Sequence, residues 1–84
     1  MQQVAATDNF RDNLKTALEA RKMPKAELAR KISSSSAYVF RVLSGEIDPG
    51  LDRCEDMANA LGLEIRDMLL DPRIFSRSIL TTVP

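Results

Sequence analysis

Leu28 to Gly45, LARKISSSSAYVFRVLSG, is the stretch whose reading decides the fold. It divides into two short helices around a polar turn. Leu28 and Ala29 end an amphipathic segment, and Ile32 closes its apolar face. Ser33 to Ser36 are four small polar residues that can turn the chain and cap the next helix. Val39, Val42 and Leu43 then recur at helical spacing, and Gly45 stops the run by taking a left-handed position. The second helix buries one side only.

A helix, a tight turn and a second helix with a free outer face is the arrangement of a helix-turn-helix, in which that face enters the DNA major groove. The rest of the chain reads as its support. Thr7 or Asp8 caps a first helix whose stripe is Phe10, Leu14, Ala17 and Leu18, and Met23-Pro24 ends it. Helix two covers Lys25–Ile32 with Ala26, Leu28, Ala29 and Ile32 inward, and helix three covers Ser36–Ser44 with Ser35 as its cap. Glu46 to Gly50 is a loop. Helix four spans Leu51–Leu61, with Leu51, Cys54, Met57, Ala58 and Leu61 inward and Gly62 as its stop. Leu63–Leu70 gives a short fifth helix, broken by Asp71-Pro72. The tail RIFSRSILTTVP is β-branched and aromatic without a clear helical register, which predicts an extended arm. Such an arm needs a partner for its backbone. It therefore either pairs with a second subunit, making Ile74, Phe75, Ile79 and Leu80 dimerisation residues, or lies over the helical core. The organisation expected is thus all-α: a flexible N-terminus over 1–7, five short helices over 8–71, and a C-terminal arm over 72–84.

The 84 residues make one small domain with a modest core. One cysteine, Cys54, and no histidine exclude an internal disulfide and leave no metal site and no cofactor to expect. Cys54 reads as a small buried hydrophobe in a reducing compartment, so a cytoplasmic protein is expected. No apolar run approaches the ~20 residues of a membrane span, and the N-terminus has neither the basic leader nor the apolar core of a signal peptide. An enzyme is not expected: no phosphate loop occurs, and adjacent acids such as Glu55 and Asp56 do not face each other on a helix. The net charge is zero but unevenly spread, +4 over residues 1–43 and −4 over 44–84. The basic half holds the helix pair, and local field matters more than the total for binding a polyanion.

From about Leu14 to Leu70 the chain resembles the lambda-repressor-like family of phage Cro and C1 repressors. The resemblance rests on an ordered set: Leu14-Lys15, Arg21, Met23-Pro24-Lys25-Ala26-Glu27-Leu28-Ala29, Ser35, Val39 with Val42, Ser44-Gly45, Pro49 with Leu51, and Met57 to Gly62. It implies five short helices around one core, with double-stranded DNA as the partner. It also implies that Lys25 binds phosphate at the start of helix two, and that Ser36, Ala37 and Arg41 read bases. Ser35 and Ser44 would be further backbone contacts. Independently, a helical wheel with Ala37 at zero puts Arg41 at about +40° and Ser44 at about −20°, opposite Val39, Val42 and Leu43. Arg41 suits a bidentate contact to guanine, Ala37 only a thymine methyl, and Ser36 either base or phosphate.

Three departures from the family stand out. Ser33 replaces the turn glycine and Lys22 the glycine after helix one, which strains a left-handed backbone if the geometry is kept. Glu46 and Asp48 replace basic or polar residues after helix three and repel phosphate. Tyr38 and Phe40 are bulky flanks of helix three that either touch DNA or a partner or cover the core edge. The function expected is a sequence-specific transcriptional regulator, a repressor that binds a pseudo-palindromic operator as a homodimer. The alternative is a protein-interaction module, such as an antitoxin or anti-repressor subunit, whose helix pair meets a protein partner.

Overall fold

The computed structural model describes residues 6–81, and the side chains of residues 8–79. Six helices occur in succession among the described residues, with no strand: α1 Ala6–Arg21, α2 Lys25–Lys31, α3 Ser36–Ser44, α4 Leu51–Ala60, α5 Ile65–Met68 and α6 Pro72–Thr81. The apolar stripe of α1 runs through the middle of the core. Phe10, Leu14 and Ala17 are fully buried there, in one cluster with Leu28 of α2, Val39 and Val42 of α3 and Met57 of α4. Pairing α2 with α3 gives the hairpin anticipated from Leu28 to Gly45, and α1 packs on α3, α5 and α6.

The largest correction concerns the tail. Instead of an extended arm, α6 is a helix packed on α1. Asp71 and Pro72 do not only break α5; they also start α6. The Asp71 carboxylate accepts the Arg73 backbone N–H at 2.8 Å, and proline occupies the first helical position, where its missing N–H costs nothing. Phe75 and Ile79, one turn apart, both enter the core, at 1% and 4% exposure. The reading by β-propensity fails here because packing of an i, i+4 pair on α1 outweighs local preference. Two of the four expected dimerisation residues are therefore used inside the chain. Ile74 is 58% exposed, and the Leu80 side chain lies outside the described residues, as do residues 1–5 of the expected flexible N-terminus.

Smaller corrections have the same physical origin. Neither Thr7 nor Asp8 caps α1, since both lie inside it, and Asp8 instead pairs with Arg11 at 3.0 Å. Ala26 is exposed in the first turn of α2, and Leu51 is 66% exposed at the start of α4, where the first turn overhangs the core. The fifth helix shrinks to a single turn, with Leu63, Leu69 and Leu70 outside it.

Four helices end in one hydrogen-bond pattern, in which a residue at positive φ and its successor donate back to the third- and fifth-preceding carbonyls. Lys22 donates to Glu19 and Met23 to Leu18 after α1; Ser33 to Arg30 and Ser34 to Ala29 after α2. Gly45 donates to Val42 and Glu46 to Arg41 after α3; Gly62 to Asn59 and Leu63 to Ala58 after α4. The left-handed positions carry φ of 54° at Lys22, 57° at Ser33, 89° at Gly45 and 74° at Gly62. The geometry usual for glycine is thus kept at Lys22 and Ser33, and the strain anticipated there is present.

Side chains from α1 and α4 satisfy further carbonyls at helix ends. Asn13 is fully buried, and its Nδ2 donates to Met68 O at 2.8 Å and Leu70 O at 2.9 Å. Arg21 Nε donates to Leu61 O at 3.1 Å, and an Arg53 Nη donates to Ile32 O at 2.6 Å. Each bond ties the end of one helix to another element, so orphan carbonyls become tertiary links.

Candidate nucleic-acid interface

The outer face of α3 is built by its two ends. At the start, Ser35 is extended at φ −117°, ψ 157°, and its Oγ accepts the Tyr38 N–H at 3.1 Å. That bond fixes where the helix begins and so which residues form its first turn. At the other end Gly45 closes it. Between them Val39, Val42 and Leu43 are buried, while Ser36, Ala37, Phe40, Arg41 and Ser44 are exposed. The expected base-reading residues Ser36, Ala37 and Arg41 are thus all exposed; Ala37, Arg41 and Ser44 share one face, and Ser36 lies at its edge in the first turn. Lys25 is exposed at the start of α2.

Hydrogen bonding separates the roles open to the two serines proposed for phosphate. Ser35 Oγ serves as an acceptor for the helix, which leaves its proton for an outside acceptor. The Ser44 hydroxyl donates to Arg41 O at 3.1 Å, a carbonyl that also receives the N–H groups of Glu46 at 2.9 Å and Ile47 at 3.2 Å. The Gly45 N–H also points to it, so four donors share two lone pairs and the Ser44 proton can turn to a phosphate while leaving that carbonyl satisfied.

The flanking aromatics diverge. Tyr38 is half-buried and packs against the core edge. The Arg53 guanidinium lies 5.4 Å from its ring centroid, a cation–π contact. Burial pushes the Tyr38 phenol up from its ordinary value, with Arg53 opposing and Cys54 adding to the shift. Arg53 therefore links α4, the end of α2 and the first turn of α3. Phe40 is 58% exposed and borders an open groove with Lys15, Glu19, Lys25, Leu43 and Ser44. A contiguous groove adds Lys22. Lys15 and Lys22 are cations beside α3 that linear reading does not collect, because they stand on α1 and at its end. The signal for Lys15 is its exposure away from the Phe10–Leu14–Leu18 stripe; for Lys22 it is the left-handed bend, which turns the chain toward α2.

Among the described residues no group of histidine, cysteine or acidic side chains could hold a metal ion, and no helix is long and apolar enough to cross a membrane. Cys54 is buried, with its Sγ 3.8 Å from Pro49 O, and burial pushes its thiol up.

The model of the Cro/C1-type helix-turn-helix family matches residues 14–68, from the middle of α1 to the end of α5. The chain belongs to this family. A helix-turn-helix relative, an HTH-type transcriptional regulator of Sinorhizobium fredii, is 34% identical over 59 residues, which is 70% of this chain and 30% of that protein. The helix-turn-helix chain thus spans less than a third of that relative's length. No solved structure matches it. Within the family frame, α2 and α3 are the helix-turn-helix pair. Helix α6 lies beyond the matched residues.

Proposed function

We propose that the chain is a sequence-specific DNA-binding transcriptional regulator, a repressor that binds a pseudo-palindromic operator as a homodimer. The observation that carries the reading is the two-sided α3: a buried Val39, Val42, Leu43 side and an exposed Ala37, Arg41, Ser44 side, with exposed Ser36 at its edge. Family membership supports it, as does the relative described as a transcriptional regulator. Ser36, Ala37 and Arg41 read base edges, with Arg41 bidentate to guanine. Lys25, Ser35 and Ser44 hold the backbone, and Lys15 and Lys22 extend that contact along the groove. Two copies whose α3 helices stand ~34–36 Å apart would read two half-sites. Exposed Leu70 and Ile74 give the dimer its apolar surface.

The test is selection of bound duplexes from a random library, then titration of the selected sequence at two salt concentrations. A palindromic motif should emerge. Each phosphate neutralised by a lysine steepens the fall of affinity with salt, so Lys15, Lys22 and Lys25 together predict a slope of about −3 per subunit, at ~0.9 per contact. No enrichment by a folded protein would refute the reading. Phe40, exposed on the flank of α3, together with exposed Glu46 and Asp48, favours the second reading of a protein-interaction module. In that case Phe40→Ala would abolish capture of a protein partner while DNA selection stays empty.

A further inference from the structure

The end of α3 departs from the other three helix ends in the side chains it brings together. In the shared pattern, the residue after the left-handed position bonds to the carbonyl five residues back, so the side chains of those two residues become neighbours. After α1 these are Met23 and Leu18, and after α4 Leu63 and Ala58, apolar residues belonging to the core or packed against it; after α2 they are the uncharged Ser34 and Ala29. After α3 they are Glu46 and Arg41. The Glu46 N–H donates to Arg41 O at 2.9 Å, and Arg41 Nε lies 3.6 Å from Glu46 Oε1.

Packing, stability and general affinity leave this carboxylate unexplained. The side chains are 59% and 64% exposed, and an exposed pair of this kind contributes little to stability. A carboxylate beside a DNA-reading face repels phosphate. What it does is occupy the Nε side of the guanidinium. The arginine fork carries its donors in a fixed plane, so a carboxylate beside Nε leaves the two terminal nitrogens as the edge open to a ligand. It also penalises the competing pose in which Arg41 swings onto a phosphate, since that pose would bring Glu46 against the backbone. Repulsion from the wrong partner is a recognised source of specificity.

We infer that Glu46 is a positioning residue for base recognition: it holds the Arg41 guanidinium with its terminal edge toward guanine, trading general DNA affinity for discrimination. This rests on the reading of α3 as the DNA-recognition helix and of Arg41 as its base reader. The backbone of the helix end keeps the two residues side by side, because Gly45 and Glu46 are both bonded back into α3.

The test uses the full chain as wild type, Glu46→Gln, Arg41→Ala and the double variant. Each is titrated against the selected duplex, against the same duplex with the guanine read by Arg41 changed to adenine, and against a random duplex. Glu46→Gln should bind the random duplex severalfold more tightly, while its preference for guanine over adenine falls about tenfold, within the range one bidentate contact supplies. In the Arg41→Ala background the same substitution should leave the base preference unchanged. A merely structural role is distinguished by thermal melting, which Glu46→Gln should leave within about a degree of wild type. The inference is overturned if Glu46→Gln keeps the wild-type base preference, or if it alters that preference equally without Arg41. Failure of the underlying reading shows in the parent proteins instead, as absent salt-dependent binding by wild type or an unchanged preference in Arg41→Ala, and either result overturns both.

Discussion

Ser33→Gly should stabilise the protein, and the gain can be worked out from the backbone. Ser33 sits at φ 57° between α2 and α3, with its N–H bonded to Arg30 O at 3.1 Å and that of Ser34 to Ala29 O at 2.8 Å. A residue with a Cβ pays ~1–2 kcal/mol in that conformation. Glycine avoids this but loses more freedom on folding, which costs ~0.5–1 kcal/mol. The net gain is about 0.5–1 kcal/mol, a rise in Tm of about 2–8 °C for a domain of this size. The mirror substitution is Gly62→Ala. Gly62 has φ 74°, and a Cβ there would meet nothing within 4 Å, so its cost isolates the backbone. It should lower stability by ~1 kcal/mol. Urea unfolding monitored by circular dichroism reads both, with an unchanged slope as the check that the surface exposed on unfolding is the same. A lower midpoint for Ser33→Gly, alongside a loss for Gly62→Ala, would refute the strain argument and assign the Ser33 hydroxyl a stabilising role. Lys22→Gly, at φ 54°, should add its own gain, because the Lys22 and Ser33 turns share no hydrogen-bond partner.

Other expectations rest on particular side chains. Asn13→Ala leaves the Met68 and Leu70 carbonyls without their donor and should cost about 2–3 kcal/mol in denaturant unfolding; a cost under ~0.5 would mean those carbonyls find other partners. Phe75→Ala should cost ~3–5 kcal/mol, as for a large core side chain, whereas removal of a lone extended arm would leave unfolding unchanged. Arg41→Ala should lose base preference at one position per half-site, while Lys25→Ala should weaken all duplexes alike and reduce the salt slope by about one; equal effects would merge the two roles. The Asp71 carboxyl is held below its ordinary value by its side-chain and backbone hydrogen bonds with Arg73. A depressed folded value means stability that is full above the unfolded carboxyl range and lost as pH falls through the folded one. Amide protection at the start of α6, measured relative to the intrinsic exchange rate at each pH, should therefore fall on acidification below about pH 4, the ordinary aspartate range, and Asp71→Ala should remove that pH dependence.

The sequence exposes the fold where side-chain spacing and helix ends agree. Val39, Val42 and Leu43 with Ser35 and Gly45 define α3 to the residue, because a cap, a stripe and a stop all point to the same boundaries. It misleads where one signal stands alone. Ile74, Phe75 and Ile79 favour strand by type, and only the presence of α1 beside them makes Phe75 and Ile79 a helical pair. Leu51 is apolar and at the right spacing, yet the core does not extend under the first turn of α4. Asn13 is legible in principle: an asparagine three residues after Phe10 and one before Leu14 falls inside the apolar stripe, and its amide N–H groups there call for partners, which they find, while Oδ1 has none among the described residues. Which partners cannot be read, since they are carbonyls 55 and 57 residues away. The same holds for the groove cations Lys15 and Lys22, which join Lys25 only once α1 and α2 are folded together.

The family frame and the proposed DNA-reading face obey different physics, and this decides what can vary. The frame depends on backbone bonds at four helix ends, on a buried stripe and on side chains such as Asn13, Arg21 and Arg53 that answer helix carbonyls. None of these uses the exposed side of α3. Ser36, Ala37, Phe40, Arg41 and Glu46 can therefore change without cost to the fold, apart from weak surface terms. Such a division lets one scaffold carry many specificities. It also leaves room for a departure such as Glu46: on the proposed reading its cost falls on general DNA affinity, where a lower background favours the cognate site among many competing ones.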